Sequence, residues 1–123
     1  MNNFFHRFLL TSVLAGTVLA SDVAWAHAKL QNAVPAAGAT LDVAPKEISL
    51  NFNEKLEPAF SSVKLADSAG QDIGTAKSHL DPANPSILRL DLPNLKPGTY
   101  VVHWTVVGQD SHHIKDEYKF TVK

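Results

Sequence analysis

The fold is decided by the stretch EISLNFN, residues 47–53. Its apolar side chains Ile48, Leu50 and Phe52 alternate with polar ones, and strand side chains point alternately to the two faces of a sheet. One face of this segment therefore contributes three large side chains to a core, while the other face meets water. After residue 26, a helical period of 3.6 residues appears nowhere over a useful length. The sequence predicts an all-β protein with no substantial helix.

Similar alternating segments lie on both sides of this strand, and turn-forming residues separate them. They cover residues 28–34, 61–66, 71–77, 87–92, 100–107 and 117–122. About seven short strands, with a turn signal every ten residues or so, are typical of a Greek-key fold. We therefore predict a single Greek-key β-barrel or sandwich with an immunoglobulin-like arrangement.

The segment at residues 100–107 is apolar on both faces, which indicates a central strand covered on each side. His103 lies inside this segment, and we interpret it as a histidine packed in the core. Tyr100 follows directly after a turn that contains Pro97 and Gly98. This placement is similar to the tyrosine corner of immunoglobulin-like sandwiches, in which the tyrosine hydroxyl bonds to the backbone a few residues upstream.

Residues 1–26 have the three parts of a secretory signal peptide. A short basic start at His6 and Arg7 precedes an apolar run at residues 8–19, and the last three residues, Ala-Trp-Ala, have the form of a signal-peptidase site. The apolar run is about a dozen residues long, which is shorter than the roughly 20 needed to span a bilayer. We predict an exported protein whose signal is cleaved after Ala26, leaving residues 27–123 as one domain.

The composition excludes several classes of function. The formal net charge is −1, so the chain has neither a nucleic-acid footprint nor a polybasic membrane patch. It has no cysteine, which rules out disulfides, thiolate metal sites and a cysteine nucleophile. The single methionine is Met1, so no thioether cluster for Cu(I) remains after cleavage. None of the familiar hydrolase, zinc-protease or phosphate-loop motifs is present, and we predict that the protein is not an enzyme.

Two distant segments offer ligands for one metal ion. Cleavage after Ala26 would make His27 the N-terminal residue, which presents both its α-amine and its imidazole. Asp110 and His112 are two positions apart, so their side chains would share one face of an extended segment. Imidazole and amine nitrogens with a carboxylate oxygen suit Cu(II) in a tetragonal arrangement. We predict a single Cu(II) site formed by His27, Asp110 and His112.

Alternative interpretations of these residues stand beside this prediction. An Asp-x-His pair is common in loops that bind no metal, and His113 is a competing donor on the opposite side of an extended segment from His112. Glu54 is a surface carboxylate on spacing alone, and His79 is a solvated loop residue. Two alternative functions apply to the whole chain. It could be a copper-dependent redox enzyme, because copper held by an N-terminal histidine and a second histidine can activate oxygen. It could also be a plain immunoglobulin-like structural module.

Five segments, in the same order along the chain, carry a resemblance to a known family. They are HAKL at residues 27–30, LNFNEKLEPAFS at 50–61, PGTYVVHW at 97–104, and DSH at 110–112 followed by YKFTV at 118–122. Each piece is short, but their combination and order are specific. Residues 27–123 resemble the CopC family of periplasmic copper-binding proteins.

The resemblance implies a cupredoxin-like Greek-key β-barrel with a Cu(II) site whose ligands match His27, Asp110 and His112. It also implies that Glu54 is a hydrogen-bonding partner beside that site. The chain departs from the family pattern in two places. The methionine-rich Cu(I) loop of some members has no counterpart in residues 66–85, and His113 stands where the family commonly has proline, which leaves an auxiliary role for His113 in coordination open.

The function implied by the resemblance is that of a soluble periplasmic carrier or buffer of Cu(II) in copper homeostasis or resistance. It would be a monomer that holds one copper ion per chain and passes the ion to an inner-membrane permease of the CopD type. No nucleic acid and no direct membrane anchor are expected among its partners.

Overall fold

The computed structural model describes residues 27–123, and the predicted signal peptide at residues 1–26 lies outside the described residues. Within the described range, no helix is long and apolar enough to cross a membrane. A short 3₁₀ turn covers Pro58–Phe60. The strands are β1 Leu30–Val34, β2 Thr40–Leu41, β3 Glu47–Phe52, β4 Ser62–Asp67, β5 His79–Leu80, β6 Ile87–Asp91, β7 Gly98–Val107 and β8 His113–Val122.

The strands form two four-stranded sheets, with the order β1-β3-β6-β5 in one and β2-β8-β7-β4 in the other. All pairs are antiparallel except β2 with β8, which is parallel. The chain passes repeatedly from one sheet to the other, because β3 and β6 belong to the first sheet while β4 and β7, which follow them, belong to the second. The predicted all-β sandwich is confirmed, and the two sheets are not closed into a barrel.

The predicted strand at residues 71–77 is absent from the structure. Only Asp72 makes an isolated bridge, to Ala66, and the next strand is the two-residue β5, which contains His79, a residue predicted to lie in a loop. Gly74 explains the difference, because its φ of +79° places it in the left-handed region, which interrupts an extended chain.

The core lies between the two sheets and is built by the inward faces of β3, β4, β6, β7 and β8. On β3, Ile48 and Leu50 are 0% exposed and Phe52 is 2% exposed, which confirms the alternation predicted for residues 47–53. Phe52 packs edge-on against Trp104 of β7, with 6.4 Å between the ring centroids. This contact joins the two sheets near the ends of β3 and β7.

The interpretation of His103 as a core residue is wrong. The strand β7 covers the core with only one face, on which Val102, Trp104 and Val106 are buried, and His103 points outward to solvent. Its Nδ1 lies 2.9 Å from Oε2 of Glu117 on the neighbouring strand β8. The prediction of a strand covered on both faces failed because β-branched residues such as Val101 and Thr105, on the outer face, also favour strands when they are only half-buried.

The tyrosine corner is confirmed. The hydroxyl of Tyr100 donates a hydrogen bond of 2.6 Å to the backbone oxygen of Lys96, while its ring is buried and stacks on Phe120 with centroids 5.7 Å apart. The bond connects the start of β7 to the turn that precedes it.

Gly108 follows β7 at the point where the chain segment after β3 crosses it. Leu56 forms an isolated bridge to Gly108, and the backbone N–H of Glu57 donates to the oxygen of Val107 at 2.8 Å. The Glu54 carboxylate occupies the space beside the Gly108 α-carbon, where a side chain would otherwise project. Gly108 does not have a left-handed φ. Glycine is therefore required here by the close contact with Glu54 and not by the backbone conformation.

Replacing Tyr100 with phenylalanine should reduce the free energy of unfolding by about 1 kcal/mol, because it leaves the Lys96 oxygen without its donor. A change of this size lowers the melting temperature of a domain of this size by about 4–8 °C. Chemical and thermal unfolding would measure both values. The matched control is Glu117→Gln, which removes only an exposed ion pair and should change stability by less than about 0.5 kcal/mol. Equal losses in both variants would contradict the assignment of the tyrosine corner.

Replacing Gly108 with alanine should destabilise the protein by about 1–3 kcal/mol, because the new methyl group would overlap the Glu54 carboxylate. The same substitution in a Glu54→Ala background should cost much less, since the overlapping group is gone. A double-mutant cycle from denaturant unfolding of the four proteins measures the coupling. A cost for Gly108→Ala that is the same in both backgrounds would show that another contact is responsible.

Candidate metal centre

The loop between β7 and β8, residues 108–112, carries two of the three predicted ligands. Its ends are fixed by the antiparallel pairing of Val107 with His113. Within the loop, the backbone N–H of Ser111 donates to the oxygen of Gly108 at 3.2 Å. The loop is therefore a tight hairpin connection, and it projects from one end of the sandwich.

Asp110 lies between two imidazole rings. Its Oδ2 is 3.1 Å from Nδ1 of His27 and 3.1 Å from Nδ1 of His112, and its Oδ1 accepts a hydrogen bond of 3.1 Å from the backbone N–H of His112. That backbone hydrogen bond, assisted by the hydrogen bonds to the two imidazoles and opposed by partial burial, holds the pKa of the Asp110 carboxyl below its usual range. The carboxylate is therefore ionised, and it is positioned to bind a cation together with both imidazole rings.

His27 reaches this loop because the start of the described chain is attached to the end of β3. Asn53, the first residue after β3, accepts a hydrogen bond from the Lys29 N–H at 2.8 Å through its side chain and donates its own N–H to the Lys29 oxygen at 3.0 Å. The Asn53 side-chain amide also donates to the His27 oxygen at 3.4 Å. Ala28, between the clamped residues, is 4% exposed. These contacts place His27 on the same end of the sandwich as the β7–β8 loop.

The three predicted ligands therefore come together. One ligand atom from each of His27, Asp110 and His112 can be chosen so that all three lie within 4.8 Å of one another. The rings of His27 and His112 meet edge to face, with centroids 4.7 Å apart. Exposure of the side chains rises from 20% for Asp110 to 31% for His27 and 53% for His112, so the cluster is open to solvent on one side. Two imidazoles and a carboxylate form a donor set that fits a divalent transition-metal ion.

The reason for which we predicted the Asp110 and His112 pair is wrong, although the pair itself forms. The segment is not extended: Asp110 lies in a turn and Ser111 has a φ of +65°, in the left-handed region. The two side chains meet because the backbone turns between them, and the alternation of an extended strand plays no part.

His113 and Glu54 have different positions relative to the cluster. His113 begins β8, is exposed and packs its ring 6.4 Å from that of Phe60, and it is not a member of the three-residue cluster. Glu54 is half-buried, and its Oε1 is enclosed without a hydrogen-bond partner among the described residues, next to Gly108 and close to Ala28. An enclosed carboxylate oxygen without a donor is costly, which marks the position as specialised.

The strand and spacing patterns missed two features of this site, although the family resemblance had named Glu54 as a partner beside it. Glu54 has the same parity as Ile48, Leu50 and Phe52, so the strand pattern already directed its side chain inward beyond the end of β3. Asn53, which attaches the chain start to β3, has no comparable pattern, since an exposed asparagine after a strand is common in turns.

The comparison with protein families matches a CopC domain to residues 30–123, a range that begins three positions after His27. Among curated relatives, protein YobA of Escherichia coli K12 is 40% identical over 108 residues, which cover 87% of each chain. This match is long enough to include most of the described chain.

Two solved structures share the fold. The crystal structure of CopC from Methylosinus trichosporium OB3b matches with a TM-score of 0.74 and 35% identity, over 79% of this chain and 94% of the other. PcoC from E. coli, described as a methionine-rich copper resistance protein, matches with a TM-score of 0.70 and 36% identity, over 80% of this chain and all of the other, 100%. The sequence match, the shared sandwich and the copper-associated relatives agree, and the chain belongs to the CopC family of copper-binding and copper-resistance proteins.

Proposed function

We propose that this protein is a periplasmic carrier or buffer of Cu(II) that captures one copper ion per chain with His27, Asp110 and His112. The observation that carries this proposal is the cluster itself, in which the ligand atoms of three residues from two distant segments lie within 4.8 Å. Membership of the CopC family supports copper as the cargo. The protein would act in copper homeostasis or resistance, and it would bind copper without catalysing a reaction.

The donor set favours Cu(II) over Cu(I). The described residues contain no cysteine and no methionine, which are the soft ligands that Cu(I) prefers. PcoC, by contrast, is described as methionine-rich. The imidazoles of His27 and His112 supply two nitrogens, and cleavage after Ala26 would add the α-amine of His27 as a third. Nitrogen ligands with one carboxylate oxygen are well suited to Cu(II).

Asp110 prepares the site for capture. Its carboxylate is within 3.1 Å of both imidazoles, so the three side chains already lie close together and would require little reordering to bind one ion. Preorganisation of this kind reduces the ordering cost of binding. The lowered pKa of Asp110 also keeps a negative charge at the site, which attracts a divalent cation and partly neutralises it.

Glu54 would serve as a hydrogen-bonding partner beside the site. Its enclosed Oε1, which has no hydrogen-bond partner among residues 27–123, lies close to Ala28 and could accept a hydrogen bond from a donor at the site. The position of His113 on β8, against Phe60, favours coordination by His112 alone of the two adjacent histidines. His112 is exposed to solvent, which leaves a route for transfer of the ion. We propose that the protein is a monomer and that it passes copper to an inner-membrane permease of the CopD type.

The central test combines intact-mass analysis of the exported protein with Cu(II) titration. We expect a mature chain that starts at His27 and binds one Cu(II), and a copy with one extra residue ahead of His27 should bind on the order of a hundredfold more weakly, because it lacks the α-amine ligand. His112→Ala should lose a similar factor. His79→Ala is the matched control, since His79 lies on β5, outside the cluster, and should bind as the unmodified protein does.

Two outcomes would overturn the proposal. One is cleavage at a different bond, which would remove the chelating amine from His27. The other is equal affinity of the native and extended proteins, which would leave only an incidental Asp-x-His loop. Sustained consumption of oxygen with a reductant, beyond that of free copper, would favour the redox-enzyme alternative.

Copper affinity should fall as the pH is lowered, because the nitrogen ligands must be deprotonated in order to coordinate. Asp110 should not cause this loss, since its lowered pKa keeps the carboxylate charged to lower pH than an ordinary aspartate. Competition titrations between about pH 5 and about pH 8 measure the profile. Asp110→Asn should weaken binding at every pH and leave the shape of the profile unchanged. A profile that flattens in Asp110→Asn would instead assign the titration to the carboxylate.

A further inference from the structure

Ser111 has a backbone conformation that L-residues with a side chain seldom adopt. Its φ of +65° makes it the one non-glycine residue with a positive φ in residues 27–123. A left-handed conformation brings the β-carbon close to the following carbonyl oxygen, so glycine and asparagine are the usual residues there. A strained conformation of this kind persists when the surrounding structure imposes it.

The side chain of Ser111 gives no reason for this conformation. Ser111 is exposed, and its hydroxyl has no hydrogen bond to any other residue of the described chain. The backbone of the same residue is well fixed, because its N–H donates to the oxygen of Gly108 at 3.2 Å. The conformation of Ser111 therefore serves the shape of the loop.

The left-handed residue determines how closely its two neighbours approach each other. In an extended segment, positions i and i+2 are about 6.5 Å apart along the strand. Here the Asp110 carboxylate reaches both the backbone N–H of His112 and Nδ1 of the His112 ring, each at 3.1 Å. The turn at Ser111 folds His112 back onto Asp110, and the pair then presents its ligand atoms to His27.

We propose that Ser111 is a positioning residue for the metal centre, and that its left-handed backbone presets Asp110 and His112 for Cu(II). This inference rests on the proposed function. The sandwich does not need this conformation, because β7 and β8 are paired along ten positions from Gly98 with Val122 to Val107 with His113. A residue that disfavours the left-handed region would let the exposed loop relax in the metal-free protein, and copper binding would then have to restore the strained turn.

The experiment compares Cu(II) affinity and metal-free melting temperature across substitutions at position 111. Ser111→Val and Ser111→Thr are β-branched, for which a positive φ is a genuine outlier, and each should lower the affinity about tenfold. Ser111→Asn tolerates the left-handed region and should retain the affinity within about threefold. Ser111→Ala removes only the hydroxyl and should also retain the Cu(II) affinity within about threefold, because the proposed effect comes from the backbone conformation. The metal-free melting temperature should be unchanged in all four variants.

Electron paramagnetic resonance of the Cu(II)-loaded proteins provides a second measurement. Ser111→Asn should reproduce the copper hyperfine pattern of the unmodified protein, and Ser111→Val should alter it, because the carboxylate and imidazole are no longer held in the same relation. Ser111→Thr retains the hydroxyl and the polarity of serine, so it decides the question if Ser111→Val does not fold.

Four results would overturn the inference. Affinity of the β-branched variants equal to that of the unmodified protein would show that the turn does not position the ligands, while the proposed function would stand. An equal loss in Ser111→Ala and Ser111→Val would assign the effect to the hydroxyl. A lower melting temperature in Ser111→Val without any loss of affinity would assign a purely structural role. Failure of the unmodified protein to bind Cu(II) would remove the proposed function together with this inference.

Discussion

The packing of the two sheets against each other is the constraint on which the site depends. His27 and Asp110 are 83 positions apart in the chain: His27 precedes β1 of one sheet, and Asp110 lies in the loop between β7 and β8 of the other. Their contact is set by the buried side chains between β3 and β7, including the edge-on pair of Phe52 and Trp104 with 6.4 Å between centroids. Hydrophobic burial is non-directional, but close packing of a core fixes relative positions to a fraction of an ångström. The relative positions of the polar residues at the end of the sandwich are therefore set by the apolar packing between the sheets.

The sequence was most informative where one physical rule acted alone. Alternation in residues 47–53 predicted β3 and its buried face, since burial of one face is what that pattern reflects. It was misleading for His103, where apolar neighbours on both faces suggested a third layer that a two-sheet sandwich does not have. The choice of His27, Asp110 and His112 rested on ligand chemistry, and the structure brings them together. Their actual arrangement depends on the φ of Ser111 and on the hydrogen bonds between Asn53 and Lys29, which no local pattern of side chains specifies.

Departures from the usual rules of stability are concentrated at one end of the molecule. Glu54 has an enclosed carboxylate oxygen that meets no donor in the described part of the chain, Gly108 leaves room for that carboxylate, and Ser111 has a strained backbone. Elsewhere the sandwich follows the rules closely, with a tyrosine corner and an alternating core. Natural proteins tend to violate local rules at functional sites and to compensate through the rest of the fold. This distribution agrees with a rigid scaffold whose β7–β8 end is specialised.

The separation of His27 from Asp110 along the chain has a consequence for the whole domain. An ion held jointly by His27 and the β7–β8 loop would tie together two points 83 residues apart, which is nearly the full length of the described chain. Such a tie acts as a reversible cross-link, and it restricts the unfolded chain much as a disulfide does when it closes a long loop. The protein has no cysteine from which to make a disulfide. An ion bound there would therefore stabilise the folded domain, and its release would remove that constraint.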